Sequence, residues 1–199
     1  HVVSFRALLW ADMPRALLPT RPDGSSWYSR GALDVLRLSS KGHWDVPIVV
    51  RGKVLHLLVS HPTPPAFDGP EDRNGKRNHD EIRLWADYIT GGRDAEYLKK
   101  ALPAGATLQA PETFVIAGDL NADPADGGSV ASAIDQLLKH PRVNATMPPT
   151  SDGAIEASRD QGGANDRHEG DPAHDTADFN DASVGNLRAD YILPSRDLT

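Results

Sequence analysis

Four apolar residues, Phe114-Val115-Ile116-Ala117, run into Gly118-Asp119-Leu120-Asn121-Ala122-Asp123-Pro124, and this junction constrains the fold more than any other part of the chain. A run that short, closed by glycine, reads as a buried strand delivering its C-terminal end to a loop. Two further apolar runs, Val46–Val50 and Val54–Val59, are separated by Arg51-Gly52-Lys53 and read as a hairpin with a tight glycine-containing turn. Residues 2–9 open as a strand and Leu187–Leu193 closes as one. The spacing of Ile82, Leu84, Trp85, Tyr88 and Ile89 predicts a helix over Asn78–Thr90 with one buried face, ended by Gly91-Gly92. A second helix is expected over Ser129–His140, stopped by Pro141, and Arg30–Leu38 reads as either a short helix or an extended segment. Phe67–Arg77 reads as a polar surface loop and residues 144–186 as a long irregular excursion. A hairpin combined with separate strands joined by helices places the chain in the mixed α/β class.

With 199 residues the chain suits one domain, spanning 1–199, with a substantial core. Sixteen prolines and seventeen glycines predict short, closely punctuated elements. The net charge of −7 argues against a protein that grips nucleic acid through a broad basic face, though not against a nuclease that brings its own cations. Cysteine is absent, which excludes disulfides, thiolate zinc sites and cysteine nucleophiles. No apolar run approaches the roughly 20 residues that span a bilayer, and the start does not read as a signal peptide. A first residue His1 in place of Met reads as a processed product or an excised piece.

Asp119 and Asn121 lie two positions apart after the strand, so a carboxylate and an amide can share one hard cation or its bound water. The same pair can equally form an Asx-turn that bonds only its own backbone. His61 stands where an apolar strand breaks into Pro62-Thr63-Pro64-Pro65, a place for either a structural histidine or a phosphate donor held over a sheet edge. Strand alternation puts Arg188 and Asp190 on one face, where they pair with each other or where Asp190 orients an imidazole. Arg73-Asn-Gly-Lys-Arg77-Asn78 is a basic cluster in an acidic chain, either an ordinary solvated loop or a place to meet phosphate. The Asp-rich stretch from Asp160 to Asp181 lacks EF-hand spacing and reads as surface chain. There is no nucleophile elbow, Walker loop, dinucleotide fingerprint or His-Glu-x-x-His helix.

Taken in order, His61-Pro-Thr-Pro-Pro, Gly118-Asp-Leu-Asn-Ala-Asp-Pro and Arg188-Ala-Asp-Tyr-Ile-Leu-Pro-Ser resemble the endonuclease/exonuclease/phosphatase superfamily. The resemblance implies a deoxyribonuclease-I-like fold, a two-sheet β-sandwich flanked by helices in four α/β/β/α layers. It also implies a metal-dependent hydrolase of phosphate esters: Asp119 helps activate water, Asn121 holds metal or scissile phosphate, His61 contacts the phosphate, and Asp190 is similar to the aspartate that bonds a histidine near the family's C-terminus. Arg77, Asn78 and Arg188 are the expected substrate-binding residues, and Asp119 and Asn121 the expected ligands of Mg²⁺ or Mn²⁺, with Ca²⁺ as a further option. Substrate stays open among nucleic acid, phospholipid and small phosphoesters, and the compartment implied is periplasmic or secreted, with cytoplasmic also open. The family's N-terminal metal-ligating Glu and C-terminal Ser-Asp-His have no counterpart here. The expectation is therefore a domain cut at both ends, inactive alone and with open sheet edges, or alternatively a non-catalytic binding module that keeps the fold.

Overall fold

The computed structural model describes residues 1–103, 108–130 and 133–198. Among the described residues seven strands form two sheets: β1 (Val3–Ser4), β2 (His43–Val50), β3 (Lys53–Ser60), β4 (Phe114–Asp119) and β7 (Asp190–Pro194) in one, β5 (Ala177–Asp178) and β6 (Asn186–Leu187) in the other. The large sheet runs β1-β2-β3-β4-β7, with β3 and β4 parallel and the other neighbours antiparallel. With its helices this is the α/β, deoxyribonuclease-I-like class expected. The hairpin turns at Arg51 and Gly52, both at positive φ (53° and 80°), the geometry that matches the twist of the two strands.

Helix α2 (Arg73–Thr90) buries one stripe, Asn78, Glu81, Ile82, Trp85 and Ile89, at helical spacing. Trp85 packs edge-on to Phe5 (5.9 Å), and its indole Nε1 donates to Ser60 Oγ at the end of β3 (2.8 Å). Tyr88 donates to the buried Asp45 carboxylate of β2 (2.6 Å), whose oxygens also meet His56 Nδ1 at 2.8 Å. Leu58, Phe114, Ile116, Tyr191 and Leu193, alternating along β3, β4 and β7, complete this core. The opposite face of the sheet is also apolar, and Trp44, Ile48 and Ile192 stand exposed on it.

Five expectations need correction. Helix α2 begins at Arg73, so Arg73–Arg77 is helical, because the Asp68 carboxylate accepts the Asn74 N–H (2.5 Å) and satisfies the helix start from outside. Residues 144–186 contain a helix, α4 (Asp152–Gln161), capped by Ser151 and ended at Gly162. None of its residues is buried, so it has no apolar periodicity to read. The last strand is broken: the Arg188 N–H turns to Asp123 (2.8 Å), while the Ala189 and Asp190 N–H groups turn to Thr176 Oγ1 (3.0 and 2.9 Å). Strand alternation therefore does not carry through Arg188. Of the expected 129–140 helix, only α3 (Asp135–Leu138) is helical among the described residues, 131–132 lying outside them. Two-residue β1 is all that remains of the expected first strand, and Arg30–Leu33 (α1) is a short helix.

His43 is fully buried, with Nε2 donating to the Glu81 carbonyl (2.9 Å) and Nδ1 against Ser39 Oγ (2.8 Å), and burial pushes its pKa down to about 4. The unfolded chain takes up this proton near pH 6.5, the folded one only near 4. Stability is thus full above pH 6.5 and should fall by about 3 kcal/mol as pH drops from there toward 4. Urea midpoints across that range check this, and His43→Gln should flatten the slope.

Candidate active site

β3 and β4 are parallel, and His61 and Asp119 stand at their C-terminal ends, the side of a parallel pair where ligands bind. The approach is close because Gly118 lacks a side chain: with φ at 152°, a Cβ there would lie 2.0 Å from the Ser60 carbonyl oxygen. Gly118→Ala should force β3 and β4 apart at the site and cost roughly 3 kcal/mol, read as a shift in the urea midpoint. No change in midpoint would mean the strands do not approach as described.

The Asp119 carboxylate divides its two oxygens. Oδ1 accepts the Asn121 N–H (3.0 Å), and Oδ2 lies 3.3 Å from His61 Nε2. The Asx-turn is therefore present, and it holds one oxygen so that the other faces the imidazole. Asn121 sits at φ 51°, a conformation that Asn tolerates, and its Nδ2 donates to the Pro62 carbonyl (3.2 Å), tying the two loops together. Both side chains stay open to solvent, His61 47% and Asp119 34% exposed, so a ligand can reach them. Asp190 is the register partner of Asp119 across the β4–β7 ladder. Like charges directly opposite repel unless a cation or donor lies between them.

Beneath the loops, α2 supplies a polar clamp absent from the sequence reading. The fully buried Glu81 accepts Thr63 N–H at Oε2 (2.6 Å), and Ser40 N–H (2.7 Å) and O–H (3.1 Å) at Oε1. Burial raises its pKa, and the Thr63 and Ser40 hydrogen bonds oppose that rise. Asn78, also fully buried, donates from Nδ2 to the Thr63 and Leu120 carbonyls (2.9 Å each) and to Asn121 O (3.3 Å). Helix α2 thereby fastens the His61 loop to the Asp119 loop. The available signal was two polar residues on the stripe shared by Ile82, Trp85 and Ile89.

His61, Asp119 and Asn121 are brought together, with Asp190 opposite. Arg77 and Asn78, expected as substrate-binding residues, donate to the protein's own backbone. Arg77 Nε donates to the Leu38 carbonyl (2.8 Å), its Nη2 donates to the Arg37 carbonyl, and burial lowers its pKa. The Arg188 guanidinium lies 4.6 Å over the Tyr191 ring, away from the face it was expected to share with Asp190. The carboxylate that meets the His61 imidazole is that of Asp119.

A cation has a carboxylate oxygen of Asp119 and the Asn121 amide available, but among the described residues no group of three His, Asp or Glu side chains could enclose an ion. That donor set fits Mg²⁺, which keeps several waters and binds through one or two carboxylates plus substrate phosphate.

The result is an α/β protein with a carboxylate, an amide and an imidazole gathered at the ends of two parallel strands. A model of the endonuclease/exonuclease/phosphatase family matches residues 2–199, and the chain belongs to that family, whose fold is that of phosphoester hydrolases. Among solved structures it is similar to a β-hairpin deletion mutant of beta toxin from Staphylococcus aureus (17% identity, 78% of this chain and 44% of that one, TM-score 0.43). It is also similar to sphingomyelinase C from Streptomyces griseocarneus (18%, 79% and 43%, 0.36) and to SmcL (21%, 85% and 46%, 0.41). The chain spans less than half the length of each of these. A search of curated proteins found no match.

Proposed function

We propose that this chain carries the water-orienting part of a single-domain, divalent-metal-dependent hydrolase of phosphate esters. The observation that carries the reading is the division of the Asp119 carboxylate, one oxygen fixed by Asn121 N–H and the other facing His61. Asp119 then holds water or cation at a set angle, the Asn121 amide binds the same cation or a phosphate oxygen, and His61 donates to the phosphate as charge develops on it. Asp190, opposite Asp119, adds negative potential that draws a cation to this point. A bound Mg²⁺ or Mn²⁺ would polarise the phosphoryl oxygens and lower the pKa of a water poised for in-line attack. In a chain of net charge −7 it would also offset the repulsion an anionic ester meets. Substrate is proposed only to the level of nucleic acid, phospholipid or small phosphoester, and the setting as secreted or periplasmic.

The test is a panel of bis-p-nitrophenyl phosphate, DNA, RNA, phospholipid and phosphomonoesters, with Mg²⁺, Mn²⁺, Ca²⁺ or EDTA, on the intact protein. Hydrolysis of at least one, abolished by EDTA, is the expected result. Turnover that survives EDTA would remove the metal from the account, and no hydrolysis of any member would remove the enzyme.

A further inference from the structure

Beside the carboxylate–imidazole pair lies an apolar cavity of about 100 Å³, walled by Pro65 and Phe67 on one side and by Phe179 of the β5–β6 connection and Leu187 of β6 on the other, with Ala189 and Asn121 also lining it. We infer that this cavity is the subsite for the organic group esterified to the phosphate, and that it takes an aryl ring or an alkyl chain. The inference rests on the phosphoester reading above and adds to it the class of substituent.

Three observations carry it. Asn121 belongs to both places: its amide ties down the His61 loop, and the same residue lines the cavity, so a group held there extends directly from the phosphate position. Of the cavity's acidic neighbours, Asp123 is already spent, its oxygens accepting the N–H groups of Ala125, Asp126 and Arg188 (2.7, 2.8 and 2.8 Å). Most of the remaining wall is carbon, so a polar substituent would lose its water there for little return.

Phe67 is the third. It is 92% exposed and held at φ 60°, a conformation that costs an aromatic residue energy without any burial to offset it. The chain on both sides is anchored to the start of α2: Asn74 Nδ2 donates to the Ala66 carbonyl (2.6 Å), and Asn74 N–H donates to Asp68 (2.5 Å). The ring is thus kept beside the cavity by its neighbours, and Phe179, 38% exposed, lines the same cavity. Size sets the limit on what enters. A dry apolar cavity of roughly 150 Å³ accepts benzene, so this smaller, open one accepts one ring or a few methylenes, and not a stacked pair of bases.

The experiment measures binding by calorimetry, in Mg²⁺, of phenylphosphonate, n-butylphosphonate and methylphosphonate, which present one phosphorus group with different substituents and are not turned over. On the intact protein phenyl or butyl should bind on the order of tenfold tighter than methyl. If only phenyl gains, the occupant is an aryl ring; if only butyl gains, it is an alkyl chain. Phe67→Ala and Phe179→Ala, both at exposed positions, should reduce the ratio within each variant to below about threefold. Phosphonates that all bind equally overturn the subsite while leaving the phosphoester reading standing. Phosphonates that do not bind at all overturn that reading and the subsite with it. A ratio unchanged in both Phe variants overturns the assignment of this cavity.

Discussion

Glu81→Ala is expected to remove about 3–5 kcal/mol of stability and to loosen the loop that carries His61. The carboxylate is fully buried and receives three donors, from Thr63 and Ser40. Truncation leaves the Thr63 and Ser40 N–H groups facing a void, at about 1–3 kcal/mol for each unsatisfied buried donor. It also leaves a cavity beside Asn78. Gln is a poor substitute, because every partner of Glu81 is a donor and an amide would turn its own NH₂ toward one of them. Glu81→Gln should therefore recover only part of the loss. Urea unfolding gives the stability, and chemical shifts of His61 and Asn121 in the folded variant give the loosening. A loss below about 1 kcal/mol would mean that the clamp is not what holds the two loops together.

The buried polar clamp also marks where sequence reading stops. The β2–β3 hairpin and β4 were legible because apolar runs broken by glycine have few other ways to fold, and the buried stripe of α2 was legible from its spacing. Asn78 and Glu81 occupy that same stripe, yet a polar residue among charges looks solvated until its partners, some 15 to 43 positions away in the chain, are known. The start of α2 escaped notice for a related reason, since its first turn is completed by Asp68 from outside the helix. Helix α4 hides differently: with no buried face, only its caps distinguish it from loop. The break at Arg188–Ala189 depends on Thr176 and Asp123, which local alternation cannot anticipate.

The ordered motifs pointed to His61, Asp119 and Asn121, and the chain folds so that these three side chains meet. The Asx-turn of Asp119 does not exclude the proposed chemistry, because it fixes one carboxylate oxygen and leaves the other facing His61. A cationic residue in a polar stretch suggests a solvated anion site, and what could not be read locally is that the Arg77 guanidinium donates to the carbonyls of Leu38 and Arg37. Arg188 misled through an alternation that the chain interrupts.

The second large effect falls on Asp119 itself. Its side chain is one-third exposed and makes one hydrogen bond to its own turn, so Asp119→Ala should cost little stability. Under the proposed function the same change removes the oxygen that faces both His61 and the cation position, and with it the orientation of water at phosphorus. The most direct measurement is hydrolysis of bis-p-nitrophenyl phosphate by the intact protein in saturating Mg²⁺, before and after Asp119→Ala, with the urea midpoint of each. A fall in kcat of about 10³-fold or more at nearly unchanged stability is the predicted result. An active protein whose rate is untouched by the substitution would contradict the assignment of this carboxylate to the chemistry.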